Sequence, residues 1–309
     1  MAPEPAPIAV STPISPADEM TWPSPTAEQS GRSSRRVRVI GPPTFSIRSI
    51  ITGVWTLFQY ADLLYTLTLF RLKVRYKQSV LGWLWAALQP IALMCIYTFV
   101  FAHVAKVRTD GIPYPAFVFC GLLPWILFSG SIANAVQGMV AYPTLLTKMY
   151  FPREIIPLSY LAAGVIDFLI ASVILMGILA HYRVMPTWNL LYVFPILALL
   201  IGFAAAVAIL FAAVHVRFRD IGLALPFLLQ VWLFATPVVY SVQDVPVRVR
   251  SIYLIDPVAS AIDMFRGVVL FGRAPDISRL CLTGGLTITF LMLSYGYFKS
   301  SEAVMADLV

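Results

Sequence analysis

The chain has 309 residues, of which 59% are hydrophobic and only 12% charged. A soluble domain carries roughly a quarter charged residues; here the charges gather in short islands between apolar runs near the ~20 residues that cross a hydrocarbon core. This excludes a soluble fold and makes lipid the solvent for most of the chain. The net charge of +7 does not point to nucleic acid, because the basic residues flank apolar runs instead of lining one soluble face.

Residues 1–43 hold nine prolines with Ser, Thr, Ala and scattered acids. Such a segment cannot bury a core and is predicted to be disordered. It has no apolar middle region of a secretory signal, so no cleavage is expected, and a basic cluster of Arg32, Arg35, Arg36 and Arg38 lies near its end. A membrane domain over 44–309 follows. Its first element, 54–77, is interrupted by Gln59 and Asp62 and carries basic residues on both flanks, Arg48 before and Arg71, Lys73, Arg75 and Lys77 after. Doubled basic flanks predict an amphipathic helix lying in the cytoplasmic interface, because a spanning helix would place one cluster outside.

Six spans are predicted, at about 83–104, 116–140, 157–181, 190–214, 221–240 and 277–298. An even number puts both termini on one side. That side holds fourteen of the 22 Lys and Arg residues, so the termini are expected in the cytoplasm. Between the last two spans, 244–276 contains the mostly apolar stretch Pro257–Phe271, too short and too charged to cross alone. It is predicted to be a re-entrant or interfacial helix, with Asp263 and Arg266 on one face, spaced to pair. The fold class is therefore all-α integral membrane, with six transmembrane helices, an N-terminal interfacial helix and external re-entrant helices.

The chemistry-bearing residues are few. No Gly-Lys pair occurs, so there is no P-loop to hold nucleotide phosphates, and a pump powered by ATP needs another subunit to hydrolyse it. No two carboxylates suggest a catalytic dyad. Asp167 is the one acid deep in a span, where an ionised carboxylate costs on the order of 3 kcal/mol; it reads either as a polar contact on a translocation path or as a helix-packing hydrogen bond. Cys95, Cys120 and Cys281 lie in apolar runs and read as small buried hydrophobes. The histidines have no second ligand at helical spacing, so no metal is expected. In the loop 142–154, Pro143 suits a helix start and Pro152 a stop, which puts Leu145, Leu146, Met149 and Tyr150 on one side with Lys148 displaced from them. A two-turn helix with a greasy face is unstable alone in water and must dock on membrane or on a partner. Most aromatics fit interfacial belts; Trp83, Trp85 and Tyr97 are candidates for lining a path.

On these residues the sequence resembles the permease subunits of the ABC exporters for capsular polysaccharide, O-antigen and teichoic acid. The resemblance runs from about Asp62 to the C-terminus. Its blocks are Lys73–Pro90, Gly121-Leu-Leu-Pro-Trp125, Leu146–Arg153, Arg219-Asp220, Pro237-Val-Val-Tyr240, Phe265-Arg266 and the tail Tyr297–Asp307. The chain departs from the family pattern at Phe70-Arg71, where Arg-Asp is frequent, and at Asp256-Pro257, where Asn-Pro is common.

The resemblance implies a homodimer of six-helix permease subunits in the bacterial inner membrane, bound to two copies of an ATPase that holds ATP and Mg, with no cofactor in this chain. It implies that 142–154 is the helix coupling to that ATPase, with Leu145, Leu146, Lys148, Met149, Tyr150 and Arg153 at the contact, and that 54–77 is a gate helix. Arg71, Lys73, Arg75, Tyr76 and Lys77 would then meet the pyrophosphate of a lipid-linked glycan, although topology and anionic lipid account for the same charges. Trp83, Trp85, Tyr97 and Asp167 are the expected path residues, and Asp263 and Arg266 mark the re-entrant region. The competing readings are a membrane enzyme acting on polyprenyl-linked sugars and an ABC permease for a drug or lipid.

Overall fold

The computed structural model describes residues 59–77, 79–104, 109, 111–141, 151–246, 248, 250, 253 and 255–308. The predicted disordered segment 1–43, the start of the predicted gate helix at 54–58, and Leu145, Leu146, Lys148, Met149 and Tyr150 lie outside the described residues. Every long element among those described is helical. In chain order they are α1 (Ala61–Tyr76), α2 (Leu84–Tyr97, running on through π-helical turns at Thr98–Val104), α3 (Tyr114–Ala141) and α4 (Ile155–His181). After a 3₁₀ turn at Trp188–Tyr192 come α5 (Val193–Arg217), α6 (Ile221–Ala235), α7 (Pro257–Phe271) and α8 (Ile277–Leu308).

Five of these are long and apolar enough to cross a bilayer: Leu84–Val104, Tyr114–Ala141, Ile155–His181, Trp188–Arg217 and Ile277–Glu302. The fifth predicted span, 221–240, is only partly helical. Its 15 helical residues reach about 22 Å at 1.5 Å per residue, short of a ~30 Å core. The rest, Thr236 to Tyr240, is unwound. Irregular backbone at membrane depth survives only where its polar groups are satisfied inside the protein, and here they are: Val238 O accepts from Arg266 at 2.7 Å, and Val239 O from the Tyr114 hydroxyl at 2.7 Å.

Long-range hydrogen bonds define two ends of the bundle. At the first, Arg153 Nη1 donates to Glu302 O at 2.6 Å and Gln137 Nε2 to Gly222 O at 3.0 Å. At the second, Asn189 Nδ2 donates to Gly272 O at 2.6 Å. The helix α3 is central and buried over most of its length, whereas α2 and much of α8 leave apolar faces exposed. An aromatic cluster of Phe128, Phe203 and Trp232, with ring centroids 5.1 to 6.3 Å apart, ties α3, α5 and α6 together. The run of small residues Ala204, Ala205 and Ala206 lets backbones approach closely, as packing in lipid requires.

The short helix predicted over Pro257–Phe271 forms with those bounds. Asp256 caps it through a hydrogen bond from Val258 N at 3.0 Å, Pro257 occupies the first turn, and Gly272 ends it at φ 60°, a left-handed value that glycine adopts without strain. Asp256 also accepts from Trp232 Nε1 at 2.9 Å, so the Asp-Pro departure from the family pattern keeps a working cap.

Candidate functional site

A cavity of about 470 Å³ opens between α1, α2, α3 and α4. Its polar centre is Asp167, which lies twelve residues into α4, about 18 Å along the axis. Asp167 Oδ2 is paired with Arg75 Nη1, and its Oδ1 accepts from the Tyr76 hydroxyl at 2.9 Å. Both partners stand on α1, so the deep acid is held by that helix and not by one of the five long apolar helices. The Tyr76 ring stacks on Trp83 with centroids 4.8 Å apart, fixing the end of α1 against the start of α2. One turn earlier, buried Arg71 places its guanidinium 4.3 Å from the Tyr160 ring centre on α4. That ring needs Gly138: a Cβ there would lie 1.9 Å from it.

Of the residues expected from sequence, Arg75, Tyr76, Trp85 and Asp167 line this cavity together. Lys73 and Lys77 are exposed beside it. Tyr97 stands apart, packed edge-on to Phe101 with centroids 6.0 Å apart. Sequence reasoning missed Tyr160, Gln89, Asn134 and Ser131, which add further polar groups to the lining. The signal was available for the last three, since polar side chains inside apolar helices must face protein or water; for Tyr160 among so many aromatics there was none. The Ser131 hydroxyl is buried with no hydrogen-bond partner among the described residues. Aromatic faces, two amides and hydroxyls suit a ligand that carries hydroxyls. Among the described residues the cavity brings no second carboxylate near Asp167.

Next to the predicted coupling loop, a second polar cluster joins the start of α4 to α8. The buried carboxylate of Glu154 accepts from Tyr295 Oη at 3.2 Å and from Lys299 Nζ at 3.1 Å. Lys299 also reaches Glu302 at 2.9 Å, and Arg153 bonds the Glu302 carbonyl. The chain leaving 142–154 is thereby riveted to the last helix.

At the second end, the predicted Asp263–Arg266 pair does not form as an ion pair. Asp263 faces Arg279, 3.4 Å away. Arg266 turns inward, where its guanidinium lies 3.8 Å over the Phe117 ring and donates to Pro237 O at 3.0 Å and Val238 O at 2.7 Å. The unwound segment after α6 supplies carbonyls that draw Arg266 away from its helical neighbour. Gly121 is required at this crossing, because a Cβ would sit 2.2 Å from Arg266 Nη2 and 2.7 Å from Val238 O.

Five helices long and apolar enough to cross a bilayer, joined by a half-length helix and a short capped helix, define an all-helical, polytopic membrane fold among the described residues. Residues 62–270 match the ABC-2 type transporter family, and the chain belongs to that family. It is 31% identical over 262 residues to the O-antigen export system permease protein RfbA of Myxococcus xanthus, a match covering 84% of this chain and 99% of that one. It is 31% identical to an RfbA of Klebsiella pneumoniae, over 72% of this chain and 86% of the other. The polysialic acid transport protein KpsM of Escherichia coli is 24% identical over 76% of this chain and 91% of its own.

Proposed function

We propose that this chain is the permease subunit of an ABC exporter that carries lipid-linked polysaccharide, such as O-antigen or capsule, across the bacterial inner membrane. The observation that carries the reading is the match across 99% of the length of an O-antigen export permease. A permease of this kind does no bond chemistry of its own: ATP and Mg bind in a separate ATPase, two copies of which serve a homodimer of this chain. Both termini then face the cytoplasm, and the first end of the bundle is the cytoplasmic one.

In this account α1 is the gate. Arg71, Lys73, Arg75, Tyr76 and Lys77 meet the phosphates of the lipid carrier, and Asp167 holds the gate shut by occupying Arg75 until a phosphate competes for it. Trp83 and Trp85 flank the cavity that the glycan enters. Leu145, Leu146, Lys148, Met149, Tyr150 and Arg153 form the contact with the ATPase. The cluster Glu154–Tyr295–Lys299 supports that role, since it makes a push on the loop a push on α8.

The test is a pull-down of the ATPase by this chain carrying Leu145→Glu with Tyr150→Glu. Binding should be abolished while membrane insertion is intact; retention of the ATPase at the unsubstituted level refutes the coupling contact.

A further inference from the structure

The second end of the bundle holds a cavity of about 400 Å³ whose lining includes Arg250, Arg266, Arg273 and Arg279 against Asp263 and Asp276. Four cations thus face two anions. The closest contacts of both carboxylates are with one arginine: Arg279 lies 3.4 Å from Asp263 and 3.9 Å from Asp276, and Asp263 is shared electrostatically with Arg266 and Arg250. Arg250, Arg266 and Arg273 make no ion pair within 4.0 Å among the described residues.

Their hydrogen bonds go to uncharged acceptors. Arg250 Nη2 donates to Gln243 O at 2.9 Å and Val245 O at 3.3 Å, and Arg266 donates to the carbonyls of Pro237, Val238 and Tyr240. Arg266 is only 3% exposed. The Nε–H groups of both Arg250 and Arg266 are buried and have no acceptor among the described residues. A buried donor is ordinarily satisfied, and a guanidinium binds best where a planar oxyanion meets its fork. A water molecule would satisfy an N–H but leave the surplus of four cations over two anions; an oxyanion group supplies an acceptor and offsets that surplus.

We propose that this cavity is a binding site for a compact oxyanion, a carboxylate or phosphate group, seated between Arg250, Arg266 and Arg273. Two sources carry that chemistry: an acidic sugar of a polymer leaving the permease, which rests on the export reading above, and the headgroup of an anionic lipid, which does not. The site itself stands on charge and geometry in either case.

The experiment uses the full chain in nanodiscs of phosphatidylcholine, titrated calorimetrically with D-glucuronate, D-glucose 1-phosphate and D-glucose. The two anions should bind saturably and more weakly as salt rises, and glucose should not bind. Arg250→Gln and Arg273→Gln should each weaken the anions about tenfold, the loss of one charged hydrogen-bonding partner; Arg250 holds only the turn at Gln243 and Val245, outside the buried crossing that Arg266 clamps, so both variants should fold. Nanodiscs containing phosphatidylglycerol distinguish the sources: if the lipid blocks glucuronate, the headgroup is the occupant, and if it does not, the acidic sugar is. Absence of saturable anion binding in phosphatidylcholine, or binding unchanged in both variants, overturns the site. Neither result touches the export reading, because no ATPase or transport enters the measurement.

Discussion

Replacing Asp167 by Asn removes the charge that Arg75 faces while keeping an oxygen for the Tyr76 hydroxyl. The Arg75 and Asp167 side chains are 38% and 18% exposed, so the pair is neither a surface bridge nor a fully buried one. Two unit charges 4 Å apart attract by about 4 kcal/mol at an effective dielectric constant near 20, while exposed pairs measure about 0.2–1 kcal/mol. Discounting the first figure for partial exposure and desolvation leaves about 1–2 kcal/mol holding α1 on α4, or roughly 5- to 30-fold in the closed-to-open ratio. The assay is labelling of a Gln89→Cys reporter at the cavity wall by a membrane-impermeant maleimide, with Cys95 and Cys281, which are exposed, replaced by Ser. Asp167→Asn should raise the labelling rate by that factor. Arg75→Asp should do the same, and the exchange Arg75→Asp with Asp167→Arg should restore slow labelling. Equal rates in all four backgrounds, or an exchange no better than its single variants, would refute the latch.

Arg266→Met strands the carbonyls of Pro237 and Val238 and should cost about 1–3 kcal/mol, the range for a buried acceptor left unpaired, read as a lowered melting temperature in detergent. Gly121→Ala should destabilise the same crossing by about 1–3 kcal/mol through overpacking, whereas Gly130→Ala on the same helix, where a Cβ meets nothing within 4 Å, should not. Glu154→Gln keeps an acceptor for Tyr295 but removes the charge facing Lys299; substrate-stimulated turnover by the partner ATPase should fall while the pull-down is unchanged. Burial pushes the Asp256 carboxyl above the ordinary carboxylate range, against the hydrogen bonds from Trp232, Val258 N and Thr236. A carboxyl so raised binds its proton more tightly folded than unfolded, so its contribution is complete below about pH 4 and is lost as pH rises through the raised value. Asp256→Asn, which still caps α7, should flatten the fall in thermal stability above about pH 4, whereas an unchanged slope would show the carboxyl to be freely hydrated.

The long apolar runs made most of the helical fold legible, because the length of an apolar run is a local property of the chain. Legibility failed where the answer lay in a distant partner. In the run 221–240, Pro237 marks where the helix can break, but nothing there reports that the unwound residues stay packed; that depends on Arg266 arriving from α7 to satisfy their carbonyls. The same cause undid the Asp263–Arg266 pair, for which helical spacing was the sole guide. Asp167 stood out by its cost in lipid, but its partners on α1 were named only as a basic cluster. The blocks Gly121–Trp125, Pro237–Tyr240 and Phe265-Arg266 were read separately and meet at one guanidinium. Likewise Leu146–Arg153 and the tail from Tyr297 are joined through Arg153, Lys299 and Glu302.

Deleting this chain from its host and following the glycan tests the account most directly. Loss of the exporter should leave lipid-linked polymer accumulating on the cytoplasmic leaflet and none at the cell surface, with both reversed by the intact chain but not by Leu145→Glu with Tyr150→Glu. Surface polymer at its normal level in the deleted strain would contradict the export assignment.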